Sequence, residues 1–502
     1  MRSRQAFKNM AASLILQVIV FLSGIILPRF FLEAYGSSVN GLVTSANQFL
    51  MYLGLAESGI GTASVVALYN PLAHGERQQV DAILSATRRF YNKISYIFAA
   101  LVIALAAIFP YVIKEQLPSS LVRSIVIVLG SSMFVNLYFI GKYKVYLTAK
   151  QEGYILSIVE AVGTLLNMIV SIVLIRMNFN VIVVKTVATV VFILRFLAIK
   201  YYMDKHYKDL DYHAKPDYSS LNQRGPALLH QVVGIIVNNT DVALMTVLMG
   251  ARSLLEVSVY GIYNMIVYAL NMLLNAFSNG LTAGFGEVIS KKEEDTLRES
   301  FSSYEYVYFI VLFIICTCMG VLLLPFVTVY TINMTDVNYI RPLTAGLFVV
   351  IVFLQNVRIP GLTIICAAGH FKETQGQAVL EAAINLSVSI ALIGKLGLNG
   401  ALIGTICSYG YRAVIIMLYN DKYLVKRSRK KTFLRILRNA ICMAALILAG
   451  LYVVPQVMGG FGAWIMYGAV MGVISVCVFV GVNYVFEAEE FKKLFARFHS
   501  IR

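Results

Sequence analysis

The chain has 502 residues, 59% hydrophobic and only 14% charged, with a mean hydropathy of +0.74. Soluble domains run near 45–50% apolar and ~25% charged, so too few charges are present to coat roughly two to four soluble domains, and a disordered or disulfide-built secreted chain is excluded as well. The net charge of +16 would suggest nucleic acid in a soluble protein; in a membrane protein it is read against the loops.

A spanning helix needs ~20 mostly apolar residues. Such runs predict spans near 11–32, 41–68, 90–113, 121–147, 154–176, 181–203, 226–249, 257–283, 304–331, 342–366, 377–394, 398–419, 437–455 and 462–486. The fold class is an all-α polytopic membrane protein of about fourteen helices. The ~10-residue alternating segments of a membrane β-barrel do not occur. The first span follows Arg2, Arg4 and Lys8 like a signal peptide, but no small-residue cleavage site follows, so it is read as retained.

The basic residues sort by loop. About 31 of the 42 lie at the N-terminus, in alternate loops and in the tail; about 8 lie in the other loops, and three, Arg195, Arg358 and Arg412, lie inside spans. This bias places both termini in the cytoplasm and supports an even helix count. It also accounts for the charge without nucleic acid. The outer loops are all short, so any chemistry belongs to the helix bundle.

An internal repeat is visible. Ser38-Val39-x-Gly41 recurs as Ser258-Val259-x-Gly261, and the ungapped register gives nine identities in 26 positions; chance in this composition gives roughly two. Asn167-x-x-Val170-Ser171-Ile172 recurs as Asn385-x-x-Val388-Ser389-Ile390, at an offset of 218 rather than 220. The period covers six helices, which preserves orientation and predicts parallel repeats with a cavity between two lobes. The expected organisation is an N-lobe over 1–215, a C-lobe over 216–420, a polybasic linker with two further helices over 421–486, and an amphipathic cytoplasmic tail over 487–502.

Asn264, Tyr268, Asn271, Asn275, Ser278 and Thr282 fall within about 40° of one line on a helix. In lipid such a stripe faces protein or water; packing between helices and cavity lining are both open. The equivalent stripe on 41–68 is Thr44, Gln48, Met51, Leu55, Ser58 and Thr62. Ionisable groups inside spans are Glu57, Glu160, Arg195, Asp241, Arg358, Glu381 and Arg412, with Arg29 near the end of the first helix. A charge at a helix centre costs ~3 kcal/mol on insertion scales, so these groups face a cavity or a partner. Arg195 and Arg412 also stand near helix ends from which they can snorkel, and Arg358 precedes Pro360, where a kink is expected. Arginine suits phosphate or diphosphate, and asparagine amides suit sugar hydroxyls. Asp241 and Glu57 are candidates for coupling to Na⁺ or H⁺.

Catalytic patterns are weak. The six cysteines lie in apolar spans, and neither C-x-x-C, H-E-x-x-H, Walker A nor a G-x-G-x-x-G context occurs, so no metal or cofactor is predicted. Asp209-Leu210-Asp211 has the D-x-D form of metal-dependent glycosyltransferases but sits in a short charged linker. Lys426-Arg427-Ser428-Arg429-Lys430-Lys431, with Arg435 and Arg438, reads as a polybasic strip that anchors to membrane lipids. Phe491, Leu494, Phe495, Phe498 and Ile501 give the tail an apolar stripe.

Three stretches carry a resemblance: Ile25-Ile26-Leu27-Pro28-Arg29-Phe30-Phe31 with Tyr35–Leu42, Leu53-Gly54-Leu55-Ala56-Glu57-Ser58-Gly59-Ile60-Gly61, and Ala367-Ala368-Gly369-His370-Phe371-Lys372-Glu373-Thr374. With the 6 + 6 + 2 helix plan, the chain resembles the polysaccharide flippase branch of the multidrug/oligosaccharidyl-lipid/polysaccharide exporter superfamily. The resemblance implies a V-shaped alternating-access flippase, not an enzyme, for undecaprenyl-diphosphate-linked oligosaccharides in a bacterial plasma membrane, working with polysaccharide polymerase or ligase machinery. It implies a cationic cavity, and the related lipid II flippases use a first-helix arginine there, matched by Arg29. A multidrug antiporter of the same superfamily would usually show twelve spans and an acidic cavity. A major-facilitator carrier would show a basic loop signature after the second helix, and Asn70–Lys93 does not carry it. A membrane glycosyltransferase or ligase would need a large outer loop.

Overall fold

The computed structural model describes residues 2–114, 116–218, 234, 239–279 and 281–493. Its helices, in chain order, are α1 (Arg2–Leu53), α2 (Leu55–His74), α3 (Arg77–Val112), α4 (Ser119–Val135), α5 (Gly141–Ala149), α6 (Gly153–Arg176), α7 (Val181–His206), α8 (Ser253–Asn279), α9 (Leu281–Ser290), α10 (Glu294–Tyr330), α11 (Pro342–Val357), α12 (Ile359–Ala367), α13 (Phe371–Leu396), α14 (Leu398–Tyr419), α15 (Arg429–Val453) and α16 (Phe461–Phe486). A further helical stretch covers 239–248. No strand occurs among the described residues.

Among the described residues, twelve helices are long and apolar enough to cross a membrane by length and composition. Two of the fourteen predicted spans account for the difference. The span 41–68 occupies the end of α1 and the first part of α2, up to Leu68, and most of 226–249 lies outside the described residues, as does the tail stripe from Leu494 onward.

Backbone breaks shape these helices. Inside α1, Gly36 takes φ 78° and ψ 172°, a conformation closed to residues with a Cβ. The break splits α1 into two arms. Gly41, on the second arm, lies so close to the first turn of α8 that an added Cβ would stand 1.8 Å from the Leu254 carbonyl oxygen. Asn40 Nδ2 donates to Ser258 Oγ at 2.8 Å beside it. The apolar repeat motif around Ser38 is therefore a close-packing motif. Further along, Pro360 lacks an N–H and cannot continue a helix through its own first turn, so α11 ends at Val357 and α12 starts at Ile359, with Arg358 at the break.

The chain forms two compact units, Met1–Val232 with Met249–Ser258, and Val233–Leu248 with Val259–Arg502. They repeat the same backbone devices. Before α3, Gly75 has φ 73° and Glu76 caps with φ −76°, ψ 75°; before α10, Lys292 has φ 56° and Glu293 caps with φ −82°, ψ 75°. After α5 and α12, Gln151 and Gly369 have φ 61° and 70°. These pairs stand 217 or 218 residues apart, at the sequence repeat's spacing.

Candidate functional site

In the second unit, α13 and α14 pack along a polar seam. Glu381, Asn385 and Ser389 recur every four residues on α13 and so share one face. Glu381 is buried between two arginines: Arg358 Nη1 bonds its Oε1, and Arg412 Nε lies 3.4 Å from its Oε2. Arg358 lies 4.5 Å over the Tyr409 ring, and Arg412 Nη1 donates to Gln377 Oε1 at 3.1 Å. Two cations on one carboxylate leave the triad itself one positive charge in excess, while a second acid, Asp241, acts with Arg358 and Glu381 on Tyr409 of the same seam. Desolvating three charges costs several kcal/mol each, so the triad holds only because its geometry and added hydrogen bonds offset that cost. The snorkelling expected of Arg412 does not occur. It stands seven residues, about 10 Å, from the C-terminal end of α14, but its side chain is 3% exposed and turned onto Glu381.

Further along the seam lies Asp241, buried. Thr405 Oγ1 donates to its carboxylate, 2.9 Å from each oxygen, and Tyr260 OH donates at 3.4 Å. Asn385 Nδ2 donates in turn to Thr405 Oγ1 at 3.0 Å. The hydroxyl and amide thus form a relay fixing the carboxylate. Asn385 and Thr405 were not among the predicted site residues. The signal that could have found Asn385 was its four-residue spacing from Glu381.

The asparagine stripe divides. Asn271 Nδ2 donates to Gln355 Oε1 at 2.8 Å, its Oδ1 accepts from Asn356 Nδ2 at 2.7 Å, and Ser278 Oγ accepts from Tyr304 OH at 2.8 Å. These residues join α8 to α10 and α11. Asn264 is half-buried, while Tyr268 and Asn275 are exposed.

The first unit places its site residues more sparsely. Arg195 stands fourteen residues into α7 and donates from Nη2 to Thr164 Oγ1 at 2.9 Å, with its guanidinium 4.7 Å from the Phe192 ring. It too is held by a neighbouring helix rather than snorkelling. Its Nε lies against Gly163, where an added Cβ would be 2.0 Å away. Glu57 Oε1 accepts from Tyr91 OH at 3.2 Å. Thr44 turns its hydroxyl onto the Asn40 carbonyl, and buried Gln48 Nε2 has no partner among the described residues. Arg29 is half-buried on the first arm of α1.

The polybasic strip needs correction. Arg427 and Arg435 are buried, not solvated. Arg427 pairs with Glu305 at 2.5 Å; Arg435, 1% exposed, bonds Glu305 at 3.0 Å and Glu487 at 2.5 Å. Lys431 pairs with Glu490 at 2.7 Å and Arg438 with Glu487 at 3.0 Å. Glu487 lies beyond α16. Burial opposes its ionisation, but Arg435 and Arg438 outweigh that and hold its carboxyl below the usual glutamate range. A run of like charge in sequence does not reveal acids 49 to 130 residues away. Arg429 and Lys430 do remain exposed.

No known protein family matches the sequence, and no curated protein does. Solved structures do. The chain superposes on "Lipid II flippase MurJ, inward closed conformation" with a TM-score of 0.66 and 13% identity, covering 95% of this chain and 98% of that one. A multidrug resistance MATE family transporter of the MOP superfamily, inward-facing, gives 0.62 at 12% identity over 88% and 98%. A MOP superfamily transporter from Pyrococcus furiosus, whose description reports a binding pocket of reverse polarity, gives 0.53 at 14% over 88% and 95%. The chain is therefore an all-α, multi-pass membrane protein. Its fold is that of the MATE and lipid II flippase structures, and at these identities the likeness is one of fold.

Proposed function

We propose that the protein is a flippase moving undecaprenyl-diphosphate-linked oligosaccharide repeat units from the cytoplasmic to the outer leaflet by alternating access. The observation that supports this reading most is the Arg358–Glu381–Arg412 triad, which keeps an excess positive charge among membrane-spanning helices. A diphosphate is the complementary group: its oxygens accept the paired N–H donors of a guanidinium. Arg29 and Arg195 in the first unit are further cationic groups of this reading, and Asn264, Asn275, Thr44 and Gln48 are its amides and hydroxyls for sugars. The likeness to a structure described as a lipid II flippase agrees with this class of cargo.

In this reading the basic face is cytoplasmic, both termini lie there, and the membrane is a bacterial plasma membrane. Polysaccharide polymerase or ligase machinery receives the product. The membrane potential favours export of a diphosphate, by up to ~4–5 kcal/mol for two charges across 100 mV. Asp241 gives a second component, exchange of Na⁺ or H⁺, because a buried carboxylate held by Thr405 and Tyr260 changes its charge on binding a cation. That group also favours the alternative reading, an ion-coupled multidrug antiporter.

The deciding experiment is a flip assay in proteoliposomes with a polyprenyl-diphosphate-linked oligosaccharide. Arg29→Ala and Arg358→Ala are expected to slow flipping at least tenfold, the loss of about one charge-assisted hydrogen bond. Wild-type rates in both variants would remove the cationic contribution of these residues. Asp241→Asn under imposed Na⁺ or pH gradients separates coupling from cargo recognition.

A further inference from the structure

The linker after α7 is strapped onto the start of α3. Arg77 bonds the Asp209 carbonyl and pairs with its carboxylate at 3.6 Å. The Asp211 N–H donates to Asp81 Oδ1 at 3.1 Å, and Ser85 Oγ donates to the Ala214 carbonyl at 2.7 Å. The second unit pins its own linker at the equivalent place. There Lys426 pairs with Glu294 at 2.6 Å. Both pairs span 132 residues, and the polarity is reversed.

Beside the first strap lies a cavity of about 240 Å³. Its floor is apolar, from Leu72, Val80 and Leu210, and its polar wall carries Arg77, Lys150 and His206 against the single carboxylate of Asp209. The rings of Tyr146 and Tyr207 meet edge to face beside it, with centroids 5.0 Å apart. Glu152, two residues from Lys150, forms no ion pair with that lysine: its oxygens accept from Tyr207 at 2.7 Å and Tyr202 at 3.2 Å, and its charge, with that of Asp81, acts on Tyr146 of the lining. Lys150 instead lies 5.7 Å over the Tyr207 ring. His206 is fixed by stacking on Tyr202 and by an Nδ1 contact with the Tyr202 carbonyl at 3.0 Å.

Lys150 and His206 are not required to close the turn. Lys150 follows the last residue of α5, and Ala368 holds the same place after α12. His206 has Tyr423 at its equivalent place, 217 residues on. The second unit builds the same strap with neither residue.

We propose that this cavity binds a phosphorylated sugar or polyol, with the phosphate on Lys150, Arg77 and His206, and the hydroxyls toward Asp209 and the tyrosines. Charge-assisted bonds from lysine and arginine suit the phosphate. A carboxylate accepts hydroxyl donors but repels a bare phosphate, so one acid among three basic groups selects a ligand carrying both functions. At ~30 Å³ per water, the cavity has the volume of about eight waters, more than a phosphate alone fills and less than the ~300 Å³ floor of drug-sized sites. The ligand is either a free sugar phosphate or the glycerophosphate head of a lipid. The site lies in the first unit, shares no residue with the seam described above, and does not depend on the transport reading.

The test is calorimetric titration of the full chain in phosphatidylcholine nanodiscs with glucose 1-phosphate, repeated in nanodiscs containing phosphatidylglycerol. Binding in at least one form is expected: direct heats with the sugar phosphate for a free ligand, or thermal stabilisation by phosphatidylglycerol for a lipid head. Lys150→Ala with His206→Tyr, which installs the second unit's residues, should weaken the effect about tenfold or more. The single change Lys150→Gln, at an exposed side chain, should weaken it in the same direction and serves as the fold-neutral check, read beside the unfolding temperature. No response to either probe in the wild type, or a response that Lys150→Gln leaves unchanged, overturns the proposal.

Discussion

The two units treat the same buried arginine differently. Arg195 and Arg412 each stand fourteen residues into α7 and α14. The helix before each is matched at an offset of 218, which aligns Gly163 with Glu381. In the second unit the arginine meets a carboxylate. In the first it lies in the space that a side chain would fill, bonds a threonine hydroxyl, and has its charge partner, Glu160, about a turn before that threonine on the same helix. The fold thus accepts a mid-helix arginine with an acid in direct contact or with one nearby. The position of the acid is a local choice that fixes how tightly each arginine is held.

The most severe way to break this comparison is Glu381→Ala. It strands two buried guanidinium groups and is expected to cost about 3–5 kcal/mol, read as a large fall in unfolding temperature in detergent. Changing Glu381→Gln together with Arg412→Gln should recover part of that loss, since fewer unpaired charges remain. Gly163→Ala tests the other side. Its Cβ displaces Arg195, at about 1–3 kcal/mol, whereas Gly163→Glu should cost less than Gly163→Ala because the new carboxylate can pair with Arg195. The reverse order would show that Gly163 and Glu381 are not equivalent.

Acid titration gives a smaller effect. The carboxyl of Glu487 is depressed in the folded state, so its contribution is complete above the ordinary value of 4.5 and is lost as pH falls through the depressed one. Glu490 lies in the same direction, held by Lys431 and Ser302 against the opposing effect of burial. Stability should therefore fall below about pH 4.5, and Glu487→Gln should flatten that limb in thermal unfolding across pH. Smallest of all is the polarity of the straps. Exchanging Arg77→Glu and Asp209→Lys copies the second unit's pair, and because both side chains are exposed the double variant should stay within about 0.5 kcal/mol of wild type. A larger loss would mean that the first strap depends on the sign of its charges.

Much of the fold was legible because apolar runs of spanning length need no tertiary information. The repeat was legible for the same reason, through short motifs such as Asn385-x-x-Val388-Ser389. Pro360 told where Arg358 would break a helix, and it does. What composition could not convey is pairing. Arg435 looks like its neighbours Arg429 and Lys430 in sequence, yet it is buried because Glu305 and Glu487 converge on it. Thr405 and Gln355 were overlooked because a lone hydroxyl or amide in an apolar run gains meaning only from Asp241 or Asn271 across the helix contact. Gly163 was silent for the opposite reason: its role is the absence of a side chain beside Arg195.

The pairing of Glu305 with Arg435 also sets a delay. The two residues are 130 apart in the chain. At about 5–20 residues per second a ribosome needs roughly 7–26 s to cover that distance. Throughout that interval α10 carries a carboxylate whose partners have not been made. The nascent chain must keep that end of α10 wet, or covered by the insertion machinery, until α15 arrives. A chain that stops before Arg427 ends its synthesis with neither arginine partner of that acid made.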